Sequence, residues 1–520
     1  MSSRQLAHRA RAGDGGVSSG PVELPDVDRL QSITDAALGA LAARLRSVGL
    51  AAVLARIARV GDRLDDALRA PMRVWNARRT REPAGFAARL FVLHDPLAPA
   101  EARELLGDLA PLLEGGLLEE GPEGILSRVH LAPAGPLLFF GDRVGAGADA
   151  VLPLCGATLD LVRAAMPGAP VDRALDLGCG AGAVALLLAG AARHVVATDV
   201  SARGLAFARL NARLNGVTNV ELRRGDLFEP VRGERFDRIA AQPPFVPRRD
   251  GAAASAFVHG GRRGDEVALR LVGDVAAHLA AGGRAVVAAD WPLFEGDPID
   301  GRARAAAGGA AVDVLVAECP PKNLDEYCAI HAAAEHRELG DAFARDAVAQ
   351  RDHLEALGVR GMAFAVVALQ PTSGVPWTSR FATRHVHDAP VDAEALDRLF
   401  AARTLAFGPD DALAAARLRL PEGARCIEQA VPGQAAPSII VQPAPRRPEW
   451  PVVLEARAAA LVDDIARAAR VGDAAAAHAD AAAVLAAARD ALLRGALEPV
   501  AAALSPEGRP AASRSRGAAG

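Results

Sequence analysis

Cysteine is scarce in this chain, with five in 520 residues and no Cys-x-x-Cys pair among them. That spacing excludes a paired-thiol zinc site and gives no disulfide framework. Scattered single thiols fit a reducing compartment, so a cytoplasmic location is expected. Aromatic residues are thin as well, at 4% with a single tyrosine, which leaves the cores to Leu, Val and Ala. Net charge is nearly absent. A formal balance of -4 argues against a chain held on nucleic acid by bulk electrostatics, although local patches stay open. Long apolar runs are also missing. "LGCGAGAVALLLAGAA" from Leu177 is uncharged but glycine-rich and short for a bilayer. "MSSRQLAHRARAGDGG" carries charge without an apolar centre, unlike a signal peptide. No membrane partner is expected, and nothing in the sequence sets an oligomeric state.

What is present divides by texture, and the length suits two to four domains. Residues 1–25 and 506–520 are polar and small, and are expected to be disordered. Residues 26–144 show helical periodicity, as in "DAALGALAARLRSVGLAAVLARI", and end in strand-like runs, "SRVHLA" and "PLLFFG". Helices followed by a small hairpin predict a helical or winged-helix-like N-terminal domain. Across 145–371 apolar strands alternate with helices, the pattern of a doubly wound α/β sheet. Residues 372–505 read as a small C-terminal accessory region, α/β or helical. There "AAVLAAARDALLRGALEPV" echoes the earlier "LGDLAPLLEGGLLEEG". Duplication of a small module and chance likeness in an alanine-rich chain both account for the echo.

The alternating region carries the chemistry. "VDRALDLGCGAGAVALLLAG" reads as a strand, a tight turn and a helix, with Asp176, Gly178, Gly180 and Gly182 in an Asp-x-Gly-x-Gly-x-Gly pattern. Glycines let the backbone turn sharply and let a ligand approach without a Cβ in the way. A dinucleotide and S-adenosylmethionine both use such turns. The acid before the first glycine favours the second, because it would meet a cation there and a pyrophosphate otherwise. "ARHVVATDVS" ends in Asp199, 23 positions after Asp176, where a carboxylate suits the two ribose hydroxyls. "VELRRGDLFEPV" sets Asp226 after a third strand, suited to an adenine amino group, with Leu227 and Phe228 to cover the ring. The fourth strand runs into "AAQPPFVPRRD". Its two prolines cannot donate, and Gln242 before them is held extended, so the turn is stiff and its carbonyls stay open.

The order and spacing of these pieces resemble the class I S-adenosylmethionine-dependent methyltransferases. They resemble most the N-methylating group whose fourth strand ends in Asn-Pro-Pro-Tyr or a variant, which includes the release factor glutamine methyltransferases. The resemblance implies a Rossmann-like seven-stranded core and S-adenosylmethionine as cofactor. It also implies that the side chain of Gln242 and the carbonyl of Pro243 accept hydrogen bonds from a planar NH2, on which Phe245 stacks. "VHGGRRGDEVALRLVGDVAAHLAAGGRAVVAA" fits that group's glycine loop, helix and fifth strand, while "VDVLVAE" and "GMAFAVVALQP" fit its last two strands. The implied acceptor is a nitrogen of protein glutamine, of an RNA or DNA base, or of a small metabolite.

The chain departs from the pattern twice, with Gln242 for the usual Asn and Phe245 for Tyr. A cofactor-binding regulatory protein without turnover is therefore the main alternative function. An NAD-dependent oxidoreductase lacks a matching His, Tyr or Lys constellation. Arg248, Arg249, Arg262 and Arg263 are expected near the mouth, as a solvated loop or as a seat for a phosphate-bearing or acidic substrate. His331 and His336 lie off one helical face, and His385-x-His387 lacks acidic or thiol partners, so no metal is expected.

Overall fold

A computed structural model of the chain describes residues 23–58, 66–143, 149–249, 258–336, 340–383, 391–430, 437–445 and 447–500. The segments expected to be disordered lie almost wholly outside these residues. The described chain forms two compact units, divided near residue 390.

The first unit is organised by one mixed sheet. Its strands are β1 (Val171–Leu177), β2 (Ala192–Asp199), β3 (Val220–Arg224), β4 (Phe236–Ala241), β5 (Leu279–Leu293), β6 (Val312–Glu318), β7 (Gly361–Pro371) and β8 (Thr378–Ala382). They lie in the order β8-β6-β7-β5-β4-β1-β2-β3. The strands from β1 to β5 run parallel, and β7 is antiparallel to both β5 and β6. Parallel strands buried on both faces need continuous apolar sequence. β2 and the parallel edge of β5 supply it, with Val195, Val196, Ala197, Val286 and Val287 buried, and the antiparallel β7 is as apolar, with Ala363, Val367 and Leu369 buried. The chain order reverses between β1 and β4, and ligands of open α/β sheets bind at such a switch, beyond the carboxyl ends of the strands. The expected Rossmann-like core is present, and an eighth strand extends it. "TSRFA" pairs parallel to β6, past the limit at Pro371 that the sequence suggested. A five-residue strand after a Ser-Gly-Val-Pro turn has too little pattern to separate it from a linker.

Helices cover both faces. They include α1 (Gly156–Ala165) before β1, α2 (Ala183–Leu188), α3 (Ala202–Asn215) and α4 (Glu266–Asp274). Between β6 and β7 stand α5 (Leu324–Glu335) and α6 (Asp341–Ala356). α3 begins at Ser201, whose side chain accepts from Gly204 N, and stops at the left-handed Gly216.

The front of this unit is a run of short helices from Val27–Gln31 to Ala110–Glu114, then two antiparallel hairpins. The hairpins pair Leu118–Gly121 with Gly124–Ser127 and His130–Ala134 with Leu137–Gly141. Its apolar cluster holds Leu38, Leu41, Phe91, Leu105 and Phe140, and continues into Phe207, Leu210 and Leu214 of α3. No single helix among the described residues is long and apolar enough to cross a membrane.

The second unit has a three-stranded antiparallel sheet, Arg425–Gln429, Ser438–Gln442 and Val452–Leu454. Its helices include Ala456–Arg467, Val471–Ala477 and Ala481–Arg494. Leu413, Val441, Ile465, Val484 and Leu492 form its core. Both echoing segments contain a helix, a left-handed glycine (Gly116 or Gly495) and a strand, although the helices differ in length, at 5 and 14 residues.

Candidate functional site

The glycine turn that closes β1 is held first by backbone bonds. Gly178 N and Cys179 N both donate to Thr198 O, at 2.8 and 2.9 Å, and Gly182 N donates to Cys179 O at 2.7 Å. Gly178, Gly180 and Gly182 take φ of 77°, 50° and 80°, a region that side chains rarely adopt. Gly182 is also required for packing, because a Cβ there would stand 2.8 Å from Ala208 Cβ on α3. Gly178 differs, since a Cβ there would meet no atom within 4 Å. Its backbone is bare on the side where a ligand would approach.

Two carboxylates flank this turn. Asp199 Oδ2 accepts from Gly180 N at 2.7 Å, and Oδ1 accepts from Ser201 N at 2.8 Å. A carboxylate offers about four acceptor sites, so capacity remains for a ligand. Burial pushes the Asp199 carboxyl above its usual range, against the pull of those amides. Asp176 is buried behind the turn, where Oδ2 accepts from Ala185 N at 2.8 Å, and burial pushes its carboxyl up to about 7. Gly225 N donates to Asp199 O at 3.1 Å, which ties the next loop alongside. In that loop Asp226 is exposed and 3.2 Å from Arg270 Nη2. Leu227 is held at φ 46°, a strained value for a residue with a branched side chain. Phe228, expected over an adenine ring, is buried and stacks on His278 at 4.4 Å, and both rings line a cavity with Asp226 and Leu227. The bare Gly178 backbone and the two buried carboxylates make a donor set that fits a sulfonium and ammonium cation with a ribose. The residues present therefore fit S-adenosylmethionine.

The second half of the site begins one strand away. Leu177 pairs with Ala241, so Gly178 and Gln242 leave neighbouring parallel strands side by side. The turn Gln242–Phe245 is fixed from below by the loop at residues 258–264. Val246 N donates to Val258 O, Gly260 N to Val246 O and Arg248 N to Gly261 O, at 2.9, 3.1 and 2.8 Å. Gly260 lies so close that a Cβ would stand 2.4 Å from Pro244 O and 2.8 Å from Phe245 Cα. Pro243 is buried, while Gln242 and Phe245 are partly exposed. The hydroxyl of Thr158, on α1, donates to Gln242 Oε1 at 2.9 Å.

Beyond Phe245 stands a group that sequence reasoning missed. His331 presents its ring edge-on to Phe245, with centroids 6.5 Å apart, and lies 4.3 Å from the ring of Tyr327. Its Nε2 is 4.0 Å from Asp290 Oδ2, and Lys322 Nζ is 3.8 Å from Oδ1 of the same carboxylate. Burial pushes the imidazole down to about 4, so it is neutral at neutral pH. The sequence offers His331 only as a helix residue off the face of His336, whereas α5 sets it against Phe245. Arg249 pairs with Asp346, and Arg263 pairs with Asp265 while lying over the Phe294 ring at 4.4 Å, so these two arginines are engaged. No group of three metal-ligating side chains occurs among the described residues. His385 and His387 lie outside them.

A switch-point glycine turn with two buried carboxylates, beside a stiff Gln-Pro-Pro-Phe turn, defines a class I S-adenosylmethionine-dependent methyltransferase. The family described as "Methyltransferase small domain" matches residues 157–291. The release factor glutamine methyltransferase of Cereibacter sphaeroides is 33% identical over 273 residues, covering 49% of this chain and 94% of that enzyme. Those of Xylella fastidiosa (strain Temecula1) and Deinococcus radiodurans are 36% and 38% identical over 130 and 128 residues. These two matches cover 23% of this chain each and only 47% and 45% of the enzymes, so the chain spans about half the length of these relatives. An rRNA methylase structure from Streptococcus thermophilus covers 42% of this chain and 95% of its own, at 15% identity and a TM-score of 0.25, which carries no argument. The chain belongs to the N-methylating class I methyltransferases, the family of the release factor glutamine methyltransferases.

Proposed function

We propose that this chain transfers a methyl group to the nitrogen of a planar NH2 on a macromolecule, and that the acceptor is a glutamine side chain of a protein release factor. The observation that carries the reading is the Gln242–Phe245 turn, set beside Gly178 by the β1–β4 register. S-adenosylmethionine, when bound, supplies a methyl group on a positively charged sulfur. Asp199 suits the ribose hydroxyls, and Asp176 suits the cationic end. Asp226 and Leu227 suit the adenine side. Gln242 Oε1 and the Pro243 carbonyl accept from the two N–H groups of the acceptor. That holds the nitrogen lone pair off the plane of those bonds and towards the methyl group, while Phe245 packs on the flat face. An amide nitrogen is a weak nucleophile, so catalysis rests on fixing this approach and on dipoles already in place. The 33% identity to the Cereibacter enzyme supports a glutamine acceptor over a nucleobase or a metabolite.

The test uses the purified full chain with tritiated-methyl S-adenosylmethionine on three fractions of a strain lacking this protein: proteins, RNA and small molecules. Label is expected in protein, on a glutamine located by peptide mass. Label confined to RNA or to small molecules overturns the assignment of the acceptor.

A further inference from the structure

We infer that Thr158 is a positioning residue for methyl transfer, acting through Gln242. The inference rests on the reading of Gln242 as the acceptor of the substrate N–H. Gln has one more methylene than the Asn usual at this position, and so one more torsion to fix before its oxygen is aimed. A free amide also flips, exchanging an acceptor oxygen for an NH2 that would repel the substrate's own NH2. One contact holds this side chain in place and pairs with its oxygen end. Thr158 Oγ1 donates to Gln242 Oε1 at 2.9 Å, across 84 residues of sequence. In this structure the hydroxyl donates to the oxygen end of the amide, and the second lone pair of Oε1 stays available for the substrate.

The tether is itself rigid. Thr158 lies in the first turn of α1, whose Leu161, Val162, Ala164 and Ala165 are buried. α1 packs directly on β4 and β5, the strands beside and bearing the site. Cys155 Sγ stands 3.4 Å from the same hydroxyl. With the Thr158 proton directed at Gln242, the thiol is left to donate to the hydroxyl oxygen. The longer side chain is thus braced from a second element, which restores the definition that a shorter amide has by itself.

Two readouts test this. In single-turnover transfer to the labelled protein fraction, Thr158→Val, close in shape but without a donor, should lower the rate roughly tenfold. Cofactor affinity by calorimetry and KM for the acceptor should stay within about threefold, and Thr158→Ser should recover most of the rate. In a Gln242→Asn background the side chain is too short to keep the same brace, so Thr158→Val should add less than about twofold. An undiminished tenfold loss in that background would show that Thr158 acts on the fold and not through Gln242. The second readout needs no acceptor. The side-chain amide resonances of Gln242, identified by their loss in Gln242→Asn, should move towards those of a solvent-exposed amide in Thr158→Val, or in Thr158→Ala if the valine variant folds poorly. Resonances that stay in place overturn the inference even if the chain methylates nothing. A shift with no methyl transfer by the native chain upholds the brace and rejects the proposed function instead.

Discussion

The two halves of the site are built on opposite principles. The glycine turn at the end of β1 is tied mainly to the strand beside it, where Thr198 O accepts from Gly178 N and Cys179 N and the Asp199 carboxylate accepts from Gly180 N. The Gln-Pro-Pro-Phe turn at the end of β4 has prolines in place of donors and is held from outside, by the loop at 258–264, by Thr158 on α1 and by His331 on α5. A ligand common to a whole family needs only a constant backbone cradle. An acceptor particular to one enzyme needs side chains that vary, so that half is assembled from distant elements. Variants of the first half should therefore act on affinity, and variants of the second on rate.

The largest expected effect breaks the second half from below. Gly260→Ala places a Cβ against Pro244 O and Phe245 Cα, so methyl transfer should be lost while cofactor affinity stays within about threefold. Calorimetry and a labelling assay on one preparation check it, and a parallel loss of cofactor binding would show that the halves are not separable. Gln242→Leu comes next, with an expected fall of roughly a hundredfold in single-turnover rate from losing one preorganised contact. In the first half, Asp199→Ala should weaken cofactor binding about ten- to a hundredfold, the scale of 1.5–3 kcal/mol for hydrogen bonds to a carboxylate, with little effect on rate at saturation.

The smallest effect concerns pH. The folded carboxyl of Asp176 sits at about 7, above its usual 3.8. A raised folded value means the native chain holds this proton more tightly than the unfolded chain. Its contribution to stability is therefore complete below about 4 and lost as pH rises through about 7. Cofactor affinity should run the other way, because a cation needs the ionised acid. It should rise several-fold from pH 6 to pH 8, and Asp176→Asn should flatten that rise. Calorimetry across this range, in a buffer of constant ionic strength, settles it.

The same contrast explains what was legible in the sequence. The Rossmann-like class of the sheet could be read because its signals are contiguous: apolar runs alternating with helices, glycines at fixed offsets, and an acid at each strand end. The Gln-Pro-Pro-Phe turn was also local. Its supports were not. Thr158 precedes Gln242 by 84 residues and His331 follows Phe245 by 86, and neither stands in a pattern of its own. Their roles exist only once β4, α1 and α5 meet. The packing partner of Phe228 was likewise hidden. An aromatic next to a ligand loop suits a ring cover or a core partner equally, and its stack on His278 joins residues 50 positions apart.

One side chain in the first unit has a consequence for how such proteins descend. Asn211 of α3 is fully buried; its Nδ2 donates to Phe140 O at 2.8 Å and to Ala181 O at 2.9 Å, and its Oδ1 accepts from Phe140 N at 2.8 Å. A single amide thus stitches the front hairpin to the glycine turn. Recombination that exchanged the front for an unrelated module would take away both bonds to Phe140 and leave this amide buried with only Ala181 O, at about 1–3 kcal/mol per orphaned group. Front and catalytic sheet should therefore be inherited together, and a shuffled ancestor is to be sought at the junction near residue 390 instead.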